Sequence, residues 1–459
     1  MNRTSGVALN EQIESSIRDA VRAGQLAPGA RLPSSRALAS ELGISRGVVS
    51  EAYGQLAAEG YLQSRQGAPV TVARRVSSPA PPAPTLPLLP TYAYDFHPGM
   101  PDLDGFPRDR WLRSVRAAIQ RAPGSAMGHG DPRGQPELRE ALSDYLGRVR
   151  GTASDPEQTV MRSGFRDALA LLCRWLAGRG VEQVAIEEPG AHAHRLIVEQ
   201  AGMSVVPVPV DGHGLRVDAL ARSGASAVIV TPAHQFPTGC VLATERRAAL
   251  IAWAEDEGRL IIEDDMDGEL RYDGARPGAL QGLAPERVVY IGSASKRLLP
   301  GLRLGWMQLP SWLTWPLVSA VTVDGGGPGA ISQLALQDFI TRGELDRHLR
   351  RMRQRYARRR DTLLDALAHH VPDAALSAGA GAGAAGLYEV AYLPADTDDT
   401  GWITRAGERG VGVHGLSLHH FGSPTRKGFI LGFAGLSEPA IEQGIRLLAA
   451  SRTRARASN

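Results

Sequence analysis

The sequence predicts an α/β protein in two unequal parts: a compact N-terminal winged helix-turn-helix and a large domain on a mostly parallel central sheet. Three observations predict it. Near the N-terminus, amphipathic stretches broken by glycine turns run into a short alternating segment. A proline-rich stretch at 76–93 then interrupts all periodicity. From residue 94 to about residue 450, short apolar runs alternate with longer amphipathic segments. Strands alternating with helices imply βαβ units and a largely parallel sheet.

The first element is marked by Leu9, Ile13, Ile17 and Val21, which recur every four residues. Gly24 and the pair Pro28-Gly29 end it. In RLPSSRALASELG, Pro33 is expected at a helix start, Leu38, Ala39 and Leu42 on one face, and Gly43 at the stop. Ser45 then serves as the N-cap of SRGVVSEAYGQLAAEG. Helix, tight turn and helix form the helix-turn-helix pattern. YLQSRQGAPVTVA, which contains Gly67, reads as a β-hairpin wing.

These residues carry a resemblance. Residues 9–73, above all GARLPSSRALASELGISRGVVSEAYGQLAAEGYL, are similar to the GntR-type winged helix-turn-helix. The resemblance implies a domain over 1–75 that binds a double-stranded DNA operator, with Arg31, Ser35, Arg36, Ser45 and Arg46 as contacts. Arginine forks suit phosphates and guanine edges, and helix N-termini suit phosphates. Gly67 would let the wing backbone approach the minor groove. Val48 and Glu51 stand where that family often has a threonine and a basic residue, which leaves the operator sequence open.

The proline-rich stretch at 76–93 cannot continue a helix or a central strand and is expected to be a semi-extended linker. Beyond it, the apolar runs at 184–189, 226–232, 260–265 and 288–293 are the expected strands.

Composition narrows the class. The chain has 459 residues, 43% of them hydrophobic, enough to bury a large core. It has no run of about 20 apolar residues. Met1–Ala8 has neither the basic start nor the apolar run of a signal peptide. Cys173 and Cys240 make neither a disulfide framework nor a zinc site, so no metal is expected and the setting is read as cytoplasmic. A net charge of +3 does not by itself establish a nucleic-acid partner. The cations are more telling. Of 51 Lys and Arg residues, only Lys296 and Lys427 are lysines. A lysine kept in so arginine-biased a chain suggests a need for a deprotonatable amine. Lys427, beside Arg426 in a polar stretch, is read as an ordinary surface cation. The arginine-rich run at 346–361 is likewise read as a solvated helix face rather than a DNA contact.

The chemistry centres on YIGSASKRLLPGLRLGW at 290–306. An apolar strand leads to Ser293, Ser295 and Lys296, with Arg303 seven residues on. Hydroxyls beside a lysine, followed by an arginine, suit a phosphate-bearing aldehyde cofactor held as a Schiff base. Asp264 ends the apolar run LIIED and lies 32 residues before Lys296. A carboxylate there can keep a pyridine nitrogen protonated.

This zone resembles the fold-type I, pyridoxal 5′-phosphate (PLP)-dependent aminotransferases. Joined to the N-terminal part, it resembles the MocR/GabR regulators. The resemblance runs over 94–450 and rests on FHPGMPDLDGFPRDRW, GDPRGQPELREALSDYL, TPAHQFPTG, IIEDDMDGELRYDG and SKRLLPGLRLGW. It implies a mostly parallel sheet with a smaller C-terminal subdomain, and a domain that senses rather than catalyses. It also implies a homodimer in which one chain's head lies near the other's large domain. By the same resemblance Lys296 is the Schiff-base lysine, Asp264 the pyridine-nitrogen partner and Arg303 a phosphate ligand. Ser293, Ser295 and the backbone at Gly164 are phosphate neighbours. No catalytic residue is expected.

Several positions depart from the family pattern. Met266 replaces a tyrosine, Ala191 a stacking aromatic, and Phe165-Arg166 a turn of small and amide residues. Ile430 falls where aminotransferases carry the arginine that clamps a substrate carboxylate. The resulting expectation is a transcription regulator whose effector is PLP or a small amine or amino acid, bearing on vitamin B6 or amine metabolism. An aminotransferase with an accessory head, or a cofactor-free repressor, are the alternatives.

Overall fold

A computed structural model describes residues 6–64, 68–73, 90–274, 277–376 and 385–452. The chain divides into two compact units, Met1–Leu89 and Pro90–Asn459. The expected linker at 76–93 lies outside the described residues as far as position 89.

The first unit is built from the helices Leu9–Arg22, Ser35–Leu42 and Arg46–Ala58. A two-stranded antiparallel hairpin follows, β1 (Leu62–Gln63) with β2 (Thr71–Val72). Ile13, Ile17 and Val21 are buried, as their spacing requires, against Val49, Tyr53, Leu56, Leu62 and Val72. One boundary differs from expectation. The second helix begins at Ser35, because the Ser34 hydroxyl accepts from the Ala37 N–H at 3.1 Å and so forms the cap. Pro33 therefore precedes the helix rather than starting it. Gly43 adopts a left-handed backbone at φ 64°, which turns the chain toward the third helix.

In the second unit the strands are β3 (Tyr94–Asp95), β4 (Thr159–Arg162), β5 (Gln183–Glu188), β6 (Ser204–Asp211), β7 (Gly214–Leu215), β8 (Ala227–Val230), β9 (Leu260–Asp264), β10 (Val288–Ser293), β11 (Gly305–Gln308), β12 (Ala375–Leu376), β13 (Tyr388–Leu393), β14 (Val411–Gly412), β15 (His414–Gly415) and β16 (Lys427–Gly432). Eight of them form the main sheet in the order β4-β11-β10-β9-β8-β5-β6-β7. The run β10-β9-β8-β5-β6 is parallel. β11 is antiparallel to both β10 and β4, and β7 to β6. The four apolar runs read from sequence are the four adjacent central strands. Buried on both faces, they read as continuous apolar runs rather than alternating ones. A smaller antiparallel sheet, β12-β13-β16-β15, is C-terminal, and β3 pairs in parallel with β14.

A buried ionic network ties the centre together. Arg150 grips Asp265 through two hydrogen bonds, 2.7 and 3.0 Å long, and neither side chain is exposed. The Tyr290 hydroxyl donates to Asp265 at 2.5 Å. Arg297 pairs with Glu269 at 2.5 Å and donates to the backbone carbonyl of Ser293 at 2.7 Å and that of Asp265 at 3.1 Å. Burial opposes charge on Asp265, but Arg150 and Arg297 hold its carboxyl below the usual range. The arginine-rich run lies on the helix Glu344–His370 and is largely spoken for within the fold. Arg355 and Arg359 pair with Asp102, and Arg360 with Glu389.

Candidate cofactor site and DNA-facing head

β9 ends at Asp264 and β10 at Ser293, and the two strands are parallel neighbours with Ile291 opposite Asp264. The residues that follow therefore converge at the carboxyl edge of the sheet, where open α/β sheets bind ligands. A cavity of about 370 Å³ lies there. Asp264, Asp267, Lys296, Thr231, His234 and Phe236 are among the residues that line it.

Lys296 sits on the short helix Ala294–Arg297, and its amine approaches both oxygens of Asp267, at 3.1 and 3.2 Å. His234 Nδ1 lies 3.5 Å from the same carboxylate. Burial works against charge on Asp267, yet Lys296 and His234 outweigh it and hold the carboxyl far below its ordinary range. The lysine stem rests on Gly99: a Cβ there would lie 3.1 Å from Lys296 Cε.

Asp264 is held from the other side. Its Oδ2 is 3.1 Å from Nε2 of buried His194, on the helix His192–Gln200, whose ring packs against Phe165. Its Oδ1 is buried and has no hydrogen-bond partner. Such an atom costs free energy until a donor reaches it. Glu187 lies on β5, and its carboxylate accepts from the N–H and hydroxyl of Thr231 and from Gln235. Burial pushes the Glu187 carboxyl up to about 7.

The remaining sequence-derived residues lie around this edge. Gly164 has φ 108° at the start of the helix Phe165–Ala177, and a Cβ on it would lie 3.7 Å from the Arg303 guanidinium. Gly305 packs against Gly164 so closely that its own Cβ would be 2.7 Å from the Gly164 Cα. The Ser293 hydroxyl is fully buried, caps the Ser295 N–H at 3.0 Å and donates to the Ser295 hydroxyl at 2.8 Å. Lys296 and Asp264 thus share the cavity wall. Gly164 and Arg303 adjoin each other, and Ser293 supports Ser295 from within. Lys427 donates to the Thr397 carbonyl at 2.6 Å, away from this site. Sequence reasoning assigned no role to Asp267, His194 or His234, although His234 lies in the quoted run TPAHQFPTG.

In the head, Arg31, Arg36, Ser45 and Arg46 are exposed and Ser35 is half-buried. Arg46 reaches Ser35 at 3.4 Å, so the starts of the second and third helices share one surface. The Ser45 hydroxyl accepts from the Val48 N–H at 3.5 Å as a cap. Arg31 bridges Thr71 at the base of the hairpin. Gly67, expected at the wing tip, lies outside the described residues.

Residues 9–72 match the family of bacterial regulatory proteins of the gntR type, and residues 102–390 match aminotransferase class I and II. The probable rhizopine catabolism regulatory protein MocR of Rhizobium meliloti is 33% identical, over 98% of this chain and 94% of that protein. The pyridoxine biosynthesis transcriptional regulator PdxR of Corynebacterium glutamicum is 33% identical, over 96% of this chain and 95% of that protein. The chain belongs to the MocR-type transcription regulators. Its large unit also resembles a solved archaeal alanine:glyoxylate aminotransferase, with 28% identity and a TM-score of 0.70 over 80% of this chain and 91% of that one. This MocR-type regulator is therefore a GntR-type head fused to an aminotransferase-like domain of the fold family whose members bind PLP. Among its described residues no helix is long and apolar enough to cross a membrane, and no cluster of three or more metal-ligating side chains occurs.

Proposed function

We propose that this regulator loads PLP in the large-domain cavity and that loading changes how a homodimer of the protein holds its operator DNA in the cytoplasm, without sustained catalysis. The observation that carries the reading is the juxtaposition of Lys296, paired with Asp267, and Asp264, whose Oδ1 is buried and unpartnered. When bound, PLP supplies an aldehyde that condenses with amines and a ring that draws electrons. Lys296 is the covalent anchor, and Asp267 and His234 hold its amine in place. Asp264, oriented by His194, offers the free oxygen to the ring nitrogen. The backbone at Gly164, with Arg303 and Ser295, faces the phosphate end, where the start of the helix Phe165–Ala177 favours an anion.

Sustained transamination of amino acids is disfavoured by Ile430. It is fully buried in an apolar cluster with Tyr388, Val390, Tyr392 and Leu416, where no bidentate carboxylate pair forms. The genes controlled are read as those of vitamin B6 or amine metabolism. The names of the pyridoxine and rhizopine regulators support this. In the head, Arg31, Ser35, Arg36, Ser45 and Arg46 are the proposed operator contacts. Two heads would read half-sites a whole number of helical turns apart.

The test is an absorption titration of wild type and Lys296→Ala with PLP, followed by operator binding with and without it. A visible band in wild type that is missing in the variant, with altered operator affinity, is the expected result. Absence of the band in both leaves a cofactor-free repressor, and unchanged DNA affinity removes PLP as the signal. Steady keto-acid production at ordinary enzyme rates would restore the aminotransferase reading.

A further inference from the structure

The cavity wall contributed by the C-terminal sheet carries no fixed cation among the described residues. His414 lies on β15, directly across from Ile430 of β16. It meets His97 edge to face, with ring centroids 4.6 Å apart. His419 meets Phe236 in the same way at 4.9 Å. All four line the cavity, whereas its two cations lie elsewhere. Lys296 is engaged by Asp267. Arg166 is in the first turn of the helix Phe165–Ala177, two residues from Gly164 at the phosphate end.

His414 and His419 present a neutral polar surface, with His97 packed against His414. Burial, aided by neighbouring His97, holds His414 below its ordinary range. Burial pushes His419 down to about 4, against the pull of the Gly190 carbonyl. His419 Nδ1 donates to that carbonyl at 3.1 Å, so its Nε2 is left as an acceptor. A neutral imidazole offers one donor and one acceptor, which matches a hydroxyl. A carboxylate placed against these rings would lose its water and gain no counter-charge from them.

We infer that the PLP-loaded protein takes a second effector, a small primary amine bearing hydroxyl groups and no carboxylate, with its hydroxyls on His97, His414 and His419. This rests on the PLP reading above. The effector's nitrogen bonds the aldehyde carbon as the bond from that carbon to Lys296 Nζ breaks. The two protons the amine gives up end on Nζ, and nothing is oxidised or reduced.

The test uses the full-length protein loaded with PLP, its loading checked by the visible band, and titrated calorimetrically with serinol (2-aminopropane-1,3-diol) and with serine. The pair differs only in a hydroxymethyl group against a carboxylate. Serinol is expected to bind about tenfold more tightly, the scale of discrimination one unpaired buried polar group produces. His414→Arg, which supplies a cation beside Ile430, is expected to narrow or reverse the preference. His419→Phe keeps the ring contact, loses the acceptor and should weaken serinol. Serine binding as tightly as serinol, no binding of either, or an unchanged ratio in a loaded His414→Arg protein would overturn the inference. A protein that takes up no PLP overturns the PLP reading and this inference together. A normal band with the reversed preference overturns only the effector class.

Discussion

Replacing Arg150 by Leu tests whether the buried ionic network holds the cofactor edge together. The guanidinium makes two bonds to Asp265, and donates to the Pro277 carbonyl at 2.9 Å and the Gly268 carbonyl at 3.3 Å. Leucine fills most of the stem's volume but leaves Asp265 with only the Tyr290 hydroxyl and Arg297, the latter 3.6 Å away. Stranding one member of a fully buried ion pair costs about 3–5 kcal/mol. That is a large part of the ~5–15 kcal/mol typical of a folded domain. Urea unfolding followed by tryptophan fluorescence should show the loss as a lower midpoint at unchanged slope. The double variant Arg150→Leu/Asp265→Leu should lose less than the sum of the two single variants, since it removes the stranded anion as well. The pH dependence has a definite sign. Asp265 is held below the ordinary carboxylate range, so its contribution is complete above that range and fades as pH falls through its folded value. The gap between wild type and Arg150→Leu should therefore narrow in acid. A loss under about 1 kcal/mol at neutral pH would refute the reasoning, because the pair would then be water-screened like a surface pair.

Two further predictions follow from the site and the head. Arg36→Ala and Arg46→Ala should each weaken operator binding and flatten its dependence on salt in electrophoretic or anisotropy assays. A phosphate contact removed lowers the slope by about one unit; native affinity and slope in both variants would misplace the DNA face. Glu187→Gln should stabilise the protein at pH 8, by about 3 kcal/mol if the whole shift is recovered, and converge with wild type towards pH 4. The reason is that burial raises the Glu187 carboxyl to about 7. Its ionisation therefore costs stability as pH rises from its unfolded value through the folded one. Parallel stability curves for the two proteins across this range would show that Glu187 carries no such penalty.

The fold was legible because its central strands are buried on both faces and bounded by glycine and proline. Lys296 stood out chemically in a chain nearly devoid of lysine, and Asp264 by its place at a strand end. Asp267 and His194 were not legible. A carboxylate three residues beyond Asp264 looks like any turn residue, and a histidine near a helix start looks like a cap or a surface group. Their roles depend on β9 and the helix His192–Gln200 meeting in space, which no local pattern encodes. The arginine run at 346–361 was read as a solvated helix face, yet Arg355, Arg359 and Arg360 pair within the fold, and their partners Asp102, Glu389 and Glu438 are too distant in sequence to be named from it. Pro33 was placed at the helix start because proline favours the first helical position, but Ser34 caps the helix and starts it two residues later.

The pairing of β3 with β14 sets an order on the life of each new molecule. The head's core closes within residues 13–72. The cavity wall needs both His97 and His414, and Gly432 packs directly on the His97 carbonyl. A ribosome delivers these parts hundreds of residues apart, and N-terminal domains fold first. Each nascent chain therefore completes its GntR-type head well before the cavity at the sheet edge can close.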